Sequence, residues 1–503
     1  MPLSHFGRYC YVSSSDLNSP VTGKPTLSQQ AARTPRVRAG QHGLGQLTLA
    51  EHSLCPLDAS ASLQARLHGC EYFYTDASRR RCKARVRIDT PEGLSAHDEF
   101  FLWGLLALAL SQREATFDFY ATPHYCLKQL GCLAPQSKGG KNYALFRQAL
   151  RRLSSVRYQN DQFYDPVRRE HRAVSFGFFS YSLPLDPGSS RAWRIIWDPL
   201  FFEICQASGG HVVFDLETYR NLDCAARRLF LLLKKVFWRR TVSPVFDVRN
   251  LAVSVLGYSA SRATSKLKSS VKQCATQLLV SNIVALPDGA RSVGELFTKR
   301  GNGRQVVQFQ RGGYFDQPRR TSQKPSANDS PLCEPLRTIG FDERAVRRIR
   351  GQFPPATIGI WADVTLAALE RKGTSFFRHS PQAFFMDSIQ QAARGRRTPP
   401  DWFAELHKQE QGRQAESARQ TRKEHRAREA DDGTPCDLTM MSPADREVFE
   451  RVMEEMLAQF RTAGQPLPDA QRNAERFARA HLRRRNVKRQ TVNRPLRNDF
   501  SIP

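Results

Sequence analysis

The chain has 503 residues, of which 40% are hydrophobic and 25% charged, so most of it can fold around buried cores. Its formal net charge of +28 favours polyanionic partners, nucleic acid above all. None of the eleven cysteines forms a C-x-x-C pair, the N-terminus lacks an apolar signal core, and the longest apolar run (Phe100 to Leu110) is too short to span a bilayer. These features argue against a zinc ribbon, a secreted disulfide scaffold and a membrane protein, and we expect a cytoplasmic chain with reduced thiols.

The N-terminal third begins with a segment of low periodicity and continues into a first set of elements. Residues 1–65 are rich in Ser, Gln, Gly and Pro, which predicts a disordered tail. Residues 66–190 predict a first winged helix. Its predicted elements are an apolar helix (97–112), a short strand (117–119), a small helix ending in glycine (123–131), a basic helix (141–156) and two strands (156–159 and 173–182) joined by a charged loop.

The next region, 191–315, repeats this order and predicts a second winged helix. Its predicted elements are an apolar helix (224–240), a short strand (246–248), a small helix ending in glycine (249–257), a basic helix (261–280) and two strands (283–286 and 306–310) joined by a basic loop. Two copies of one order in one chain favour tandem winged helices over a single α+β domain with accidental symmetry.

The remainder of the chain predicts helices separated by polar segments. Residues 316–335 are polar and Pro-rich, which is typical of a linker. Residues 336–404 predict a small helical module, either a structural hairpin or a docking site for other proteins. Residues 405–503 predict a charged extension, partly helical and partly disordered. The predicted fold is therefore α+β, with tandem winged-helix domains, a helical C-terminal region and disordered termini.

Both basic helices carry their apolar residues on one face and positive charge on the other. The second has no acidic residue between Ser261 and Val280. A solvent-exposed face with charges of one sign favours a partner lined with phosphates, because the exposed face of a helix usually carries charges of both signs. In a winged helix the second helix of the helix-turn-helix enters the major groove and the wing lies along the backbone. The predicted DNA-binding residues are Lys141, Asn142, Arg147, Arg151, Arg152, Arg168, Arg169 and Arg172 in the first unit, and Arg262, Ser265, Lys266, Lys268, Ser269, Lys272, Lys299, Arg300 and Arg304 in the second.

The sequence shows no pattern typical of a nickase or an ATPase. None of the twelve histidines has H-x-H spacing, and no G-x-x-x-x-G-K-[ST] loop occurs. His124, Cys126 and Cys132 lie on or beside a small helix, where core packing is favoured over metal ligation. Asp98 and Glu99 fit a role at a helix N-terminus better than acid/base chemistry. We therefore expect no catalytic site, metal or cofactor.

Residues 95–315 resemble the plasmid replication initiator protein A family. The resemblance rests on the DEFFLWGLLALALSQ segment and on a pattern of strand, Arg-Arg-Leu helix, helix-turn and long basic helix. The residues that carry it are Asp215, Tyr219, Leu222, Arg227, Arg228, Leu229, Leu251, Ala252, Leu256 and Gly257, followed by the 261–280 helix. The chain departs from the family in its N-terminal tail and C-terminal extension.

This resemblance implies a bacterial protein that binds repeated origin sequences in double-stranded DNA, opens them locally and recruits the replicative helicase and the host initiator. It also implies a homodimeric form and an association with a plasmid or the nucleoid. Two alternatives remain from the residues alone. A winged-helix transcriptional regulator would use the same DNA-binding units, and a relaxase or primase would need metal ligands or paired carboxylates that the sequence does not supply.

Overall fold

The computed structural model describes residues 37–75, 80–112, 114–133, 140–184, 189–316, 330–413 and 442–462, with single positions between and beyond these ranges. The chain divides into two compact units, residues 1–411 and 412–503. Helices and strands are mixed throughout the first unit, which confirms the α+β fold. The expected disorder of residues 1–36, of 421–441 and of the C-terminal end lies outside the described residues.

The segment 37–65, expected to be disordered, is ordered and largely buried. Strand β1 (His42–Gln46) pairs antiparallel with β9 (His211–Asp215), and Leu44 and Leu54 are buried in the main core. A 3-10 turn (Leu49–Glu51) and a four-residue helix α1 (Ala59–Ser62) follow. The prediction was wrong here because burial by tertiary partners, which low periodicity does not reveal, orders these residues.

The first winged-helix unit has the expected order of helix, strand, helix and helix. Its elements are α2 (Asp98–Leu110), β4 (Asp118–Ala121), α3 (Pro123–Gln129), α4 (Gly140–Ser155), β7 (Phe179–Ser182) and β8 (Trp193–Trp197). The three strands form a sheet in the order β4-β8-β7, which is the sheet of a winged helix. The wing is therefore the connection between β7 and β8.

A second sheet was not predicted from the sequence. Two of its strands precede α2, and the other two lie between α4 and β7 in the chain. It has four antiparallel strands in the order β2-β3-β5-β6, namely β2 (Arg66–Thr75), β3 (Arg81–Thr90), β5 (Arg157–Asp165) and β6 (Glu170–Phe176). The hairpin β5-β6, predicted to be the first wing, is an insertion between α4 and β7. The prediction was wrong because hairpin signals are local, whereas the pairing of β5 with β3 joins residues about 70 positions apart.

The second winged-helix unit has its helices in the predicted order, but the wing strand β12 (Phe297–Lys299) lies within the segment that was predicted to be a loop. It comprises α7 (Cys224–Phe237), β10 (Phe246–Asp247), α8 (Val248–Asn250) continuing as a π-helix (Leu251–Val255), α9 (Thr264–Val280), β12 and β13 (Gln305–Val307). Its sheet order, β10-β13-β12, has the same topology as β4-β8-β7. A two-stranded ladder joins β11 (Val284–Ala285) to β14 (Gln310–Arg311), and α5 (Pro199–Gln206) and α6 (Leu216–Asn221) connect the two units.

The two winged-helix units share one hydrophobic core, crossed by a buried ion pair. Arg228 on α7 bonds to Glu99 on α2 at 2.5 Å and donates to the Leu256 carbonyl at 2.7 Å. Glu99 is thus a structural partner of the second unit rather than only a first-turn residue. The small helix of the second unit ends, as predicted, at Gly257, whose φ of 86° disfavours any side chain, and a Cβ there would collide with Arg228. Because of these contacts, the two winged-helix units are parts of one folded body and are held at a set separation.

The helical module has its own core and packs against the first winged-helix unit. It consists of α10 (Cys333–Ile339), α11 (Glu343–Gln352), α12 (Pro355–Lys372), α13 (Pro381–Ala393) and a helical segment at 401–411. Residues 330–335, assigned to a linker by sequence, are mostly buried in this module. Tyr120 of β4 lies against Gly359 of α12 and belongs to the same core.

The second compact unit contains the helix α14 (Pro443–Thr462). Its N-terminus is capped by Ser442, whose hydroxyl accepts from the backbone N–H of Asp445 at 3.2 Å. Val448 and Phe449 pack with Ala478 and Leu482 in a small core.

Candidate nucleic-acid interface

Helix α9 of the second unit presents an exposed basic face. Leu267, Val271, Cys274 and Leu278 are buried, as predicted, although Ala263 at the N-cap is exposed. The opposite side is open to solvent and holds Arg262, Ser265, Lys266, Ser269 and Lys272. The N-terminal half of α9 therefore combines hydroxyls and cations, side chains that can bind phosphates and base edges.

Lys268 lies between this helix and the wing. Its Nζ donates to Gln305 Oε1 at 2.9 Å and lies 5.7 Å from the Phe297 ring centroid. Because Gln305 and Phe297 belong to β13 and β12, Lys268 braces α9 against the β12-β13 hairpin. Lys268, one of the predicted DNA-binding residues, therefore positions α9 against the wing. Its positive charge also contributes to the basic surface.

The wing of the second unit extends the basic surface. Lys299, Arg300 and Arg304 lie at the tip of the β12-β13 hairpin and are exposed. Arg304 makes a loose ion pair with Asp247 at 3.7 Å, and its side chain is 76% exposed. We name the set formed by Arg262, Ser265, Lys266, Ser269, Lys272, Lys299, Arg300 and Arg304 the open reader.

Two predicted readers on α4 of the first unit are instead tied to internal carboxylates. Arg152 makes two bonds of 2.7 Å to Asp98, whose side chain is 2% exposed. Arg151 bonds to Glu92 at 2.7 Å. Their assignment to DNA stays a prediction that these ion pairs argue against, since a cation already paired with a buried carboxylate has little to gain from a phosphate.

The remaining predicted residues of the first unit fall into two groups, those with internal partners and those that are exposed. The side-chain amide of Asn142 donates to the Cys132 carbonyl at 2.5 Å, and Arg172 pairs with the buried Asp165 at 2.7 Å. Lys141 is exposed, and the exposed Arg147 lies 5.6 Å from the Trp193 ring. Arg168 and Arg169 are exposed at the tip of β5-β6, the inserted hairpin rather than the wing. The predicted DNA-binding cations that are exposed on this unit are therefore fewer than those on the second unit.

The true wing of the first unit is held by the helical module. The Arg191 guanidinium bonds to Asp363 at 2.5 Å and to Glu410 at 2.6 Å, and its side chain is only 5% exposed. Burial alone would lower the pKa of Arg191, but Asp363 and Glu410 raise it above its usual value. The hydroxyls of Ser189 and Ser190 donate to Glu370. The polar side chains of this wing are thus bonded to carboxylates of the helical module.

A further carboxylate lies at the N-terminus of α3, the first helix of the helix-turn-helix. Thr122, the N-cap, donates to Glu334 of α10, and His124 lies 3.9 Å from the same carboxylate. Backbone N–H groups at such a helix start are common phosphate ligands. In the first unit the helical module therefore contacts both the start of α3 and the wing.

Several cysteines and histidines of the described residues are packed in the cores, while others, such as His379, are exposed. Cys126 is buried in the core, and burial raises the pKa of its thiol. Within the described part of the chain, no group of three or more His, Cys, Asp or Glu residues could hold a metal ion. His52 is buried against Tyr158, with its Nε2 2.9 Å from the tyrosine hydroxyl, and burial lowers the pKa of His52 to about 3.

One basic strand was missed by the sequence analysis. On β3, residues 81–87 alternate exposed cations with inward-facing side chains. The period of two in RCKARVR was a readable signal, but the region before 97 was assigned no strands.

Comparisons with known proteins add little to this geometry. No known protein family matches the chain, and no curated protein does. Among solved structures, selenomethionine derivatives of domains 2 and 3 of RctB match 52% of this chain and 96% of that one, with 12% sequence identity and a TM-score of 0.34. A likeness this weak carries no argument, and the resemblance to plasmid initiators stays a prediction. None of the helices in the described residues is long and apolar enough to cross a membrane.

Proposed function

We propose that this chain is a DNA-binding replication initiator without a catalytic site, which recognises repeated origin sequences in double-stranded DNA. The observation that carries the proposal is the open reader, where an acid-free helix face and a basic wing lie on one surface joined by Lys268. The N-terminal half of α9 enters the major groove, and the wing follows the neighbouring backbone. Lys and Arg supply phosphate contacts, while Arg262 and Ser265 are placed to contact base edges.

The first unit supports this reader with backbone contacts. Lys141, Arg147, Arg168 and Arg169 are its exposed predicted cations. Because the two units share one core and the Arg228–Glu99 pair, one chain presents two binding units at a set separation. A protein of this kind suits direct repeats, whereas a regulator more often has one unit and a dimer or ligand domain.

The remaining parts of the proposal follow from the resemblance to plasmid initiators. They are local opening of the origin, recruitment of the replicative helicase and the host initiator, a homodimeric form, and association with a plasmid or the bacterial nucleoid. The helical module is our candidate for the protein contacts.

The test is binding of the full chain to the DNA that flanks its gene, against scrambled DNA of equal length, across a salt series. We expect selective binding with a steep salt dependence. Lys266→Glu, at a phosphate contact, should weaken binding to the flanking DNA, while Arg371→Glu, at an exposed position of α12, should behave as the wild type. Equal affinity for both DNAs would contradict sequence-specific recognition.

A replication assay separates the initiator from a regulator. A plasmid that lacks an origin but carries the flanking DNA should replicate when the wild-type protein is supplied, and should fail with Lys266→Glu. Repression of a reporter by the same DNA, with no replication, would instead assign the chain to transcriptional regulation.

A further inference from the structure

The four-stranded sheet β2-β3-β5-β6 has one face in the core and one face in solvent. Ala84, Val86 and Ile88 of β3 are buried. The alternate residues of the same strand, Arg81, Lys83, Arg85 and Arg87, are all exposed. Since successive side chains of a strand point to opposite faces, the four cations form a row on the solvent side, about 7 Å apart.

The neighbouring strand β2 adds apolar side chains to this row. Phe73 is opposite Lys83 and Leu67 is opposite Asp89 in the ladder, and they are 41% and 51% exposed. The Arg81 guanidinium lies 4.1 Å from the Phe73 ring centroid. An exposed aromatic ring with a stacked guanidinium, set beside a row of cations, offers a stacking surface next to groups that can bind phosphates.

The same face also carries acidic residues, namely Glu71, Asp89 and Asp161. Glu71 pairs with Lys83 at 2.5 Å, and Asp161 accepts from the backbone N–H of Arg85 at 2.8 Å. In the part of the chain that the structure describes, the guanidiniums of Arg85 and Arg87 make no ion pair. They are therefore able to contact phosphates without first breaking one.

We propose that this face, which we call the sheet platform (Leu67, Phe73, Arg81, Lys83, Arg85 and Arg87), binds single-stranded DNA. Arg85 and Arg87 contact successive phosphates, and unpaired bases stack on Phe73 and the Arg81 guanidinium. Non-specific single-strand binding sites combine these two elements, a basic track and aromatic stacking surfaces. A duplex would satisfy the cations but keeps its bases away from Phe73 and Leu67. The proposal does not depend on the origin assignment.

Oligonucleotide binding by the full-length protein tests the platform directly. The probe is a fluorescent thymidine oligonucleotide of about 15 nucleotides, within the usual span of single-strand sites. We expect Arg85→Glu/Arg87→Glu to weaken its binding at least tenfold and to lower the magnitude of the salt slope by about 1.4, at about 0.7 per lost phosphate contact. Binding to the gene-flanking duplex should change less than twofold. Lys266→Glu should give the reverse pattern, and Arg371→Glu should change neither.

A second variant tests stacking without altering charge. Phe73→Ala should weaken oligonucleotide binding by about 5- to 150-fold, the range measured for loss of one stacking aromatic residue, and Phe73→Tyr should restore it. Thermal melting of each variant checks that the fold is retained. The platform is overturned if the double reversal has no more effect than Arg371→Glu, or if single-strand and duplex binding fall together. Loss with the double reversal but none with Phe73→Ala would also overturn it, leaving only an electrostatic surface.

Discussion

The two winged-helix units have the same element order and sheet topology, yet they offer very different surfaces. In the second unit the basic helix α9 and the β12-β13 wing are exposed together. In the first, Arg151 and Arg152 of the equivalent helix are bound to Glu92 and Asp98, and the wing residue Arg191 is buried between Asp363 and Glu410. A shared fold therefore does not imply a shared role. Carboxylates within the chain decide which cations stay available to a nucleic acid.

The largest expected effect comes from removing the buried wing contact of the first unit. Arg191→Met leaves Asp363 and Glu410 buried with only His407 beside them, so the free energy of unfolding should fall by about 3–5 kcal/mol. Denaturant unfolding of the full chain measures it. The matched control in the other wing, Arg304→Met, should be close to neutral. Comparable stabilities for the two variants would mean that the wings do not differ as described.

The basic helices give the next test of the comparison. Arg152→Met should lower the free energy of unfolding by about 3 kcal/mol, because it leaves the buried Asp98 unpaired. Lys266→Met, on the exposed face of α9, should leave stability unchanged while weakening DNA binding. Circular-dichroism melting and duplex binding, measured on both variants, check this. An unchanged melting temperature for Arg152→Met would return Arg152 to the DNA-binding set.

Charge reversal on each helix should then rank the two units as DNA readers. Lys266→Glu should reduce affinity for the gene-flanking duplex by about tenfold or more, since a phosphate contact is replaced by repulsion. Arg147→Glu on α4 should cost less, because few exposed cations surround it. Titration of the gene-flanking duplex with each variant, at one salt concentration, measures the two losses of affinity. If Arg147→Glu has the larger effect, the first unit is the principal reader.

The smallest expected effect is a dependence of stability on pH, caused by His52 in the N-terminal segment. This segment contacts the second unit through the hydrogen bond from Leu57 N to the Gly257 carbonyl at 2.9 Å. Burial lowers the pKa of His52 to about 3 from 6.5, so the unfolded state binds more protons as pH falls below 6.5. Stability is therefore complete above that pH and declines below it. Between pH 7 and 5.5 the expected loss from this group is about 1 kcal/mol.

Unfolding measured at both pH values tests this loss, and His52→Asn should reduce it. The exposed His379→Gln is the control and should keep the full pH dependence. The neighbouring His68, whose pKa burial lowers to about 4, adds a similar contribution that survives in His52→Asn. An identical pH dependence in His52→Asn and the wild type would contradict a neutral, buried His52.

Local patterns predicted the helices of both units and the apolar face of α9. Helical periodicity is visible in sequence because residues three and four apart share a face. The same approach missed strand β1, since its partner β9 is about 170 residues away. It also assigned the wing of the first unit to β5-β6, because the sequence of a charged hairpin loop is similar in a wing and in an inserted hairpin.

What the sequence determined by itself was the α+β character, the repeated order of elements, the excess of positive charge and the acid-free face of α9. Each depends on composition or on residues close together in the chain. Only the tertiary structure decided which cations are available, because Asp98 and Asp363 come from elements distant in sequence from the arginines that they neutralise. An arginine's surroundings depend on long-range pairing, and a pattern of charges along one helix contains no information about it.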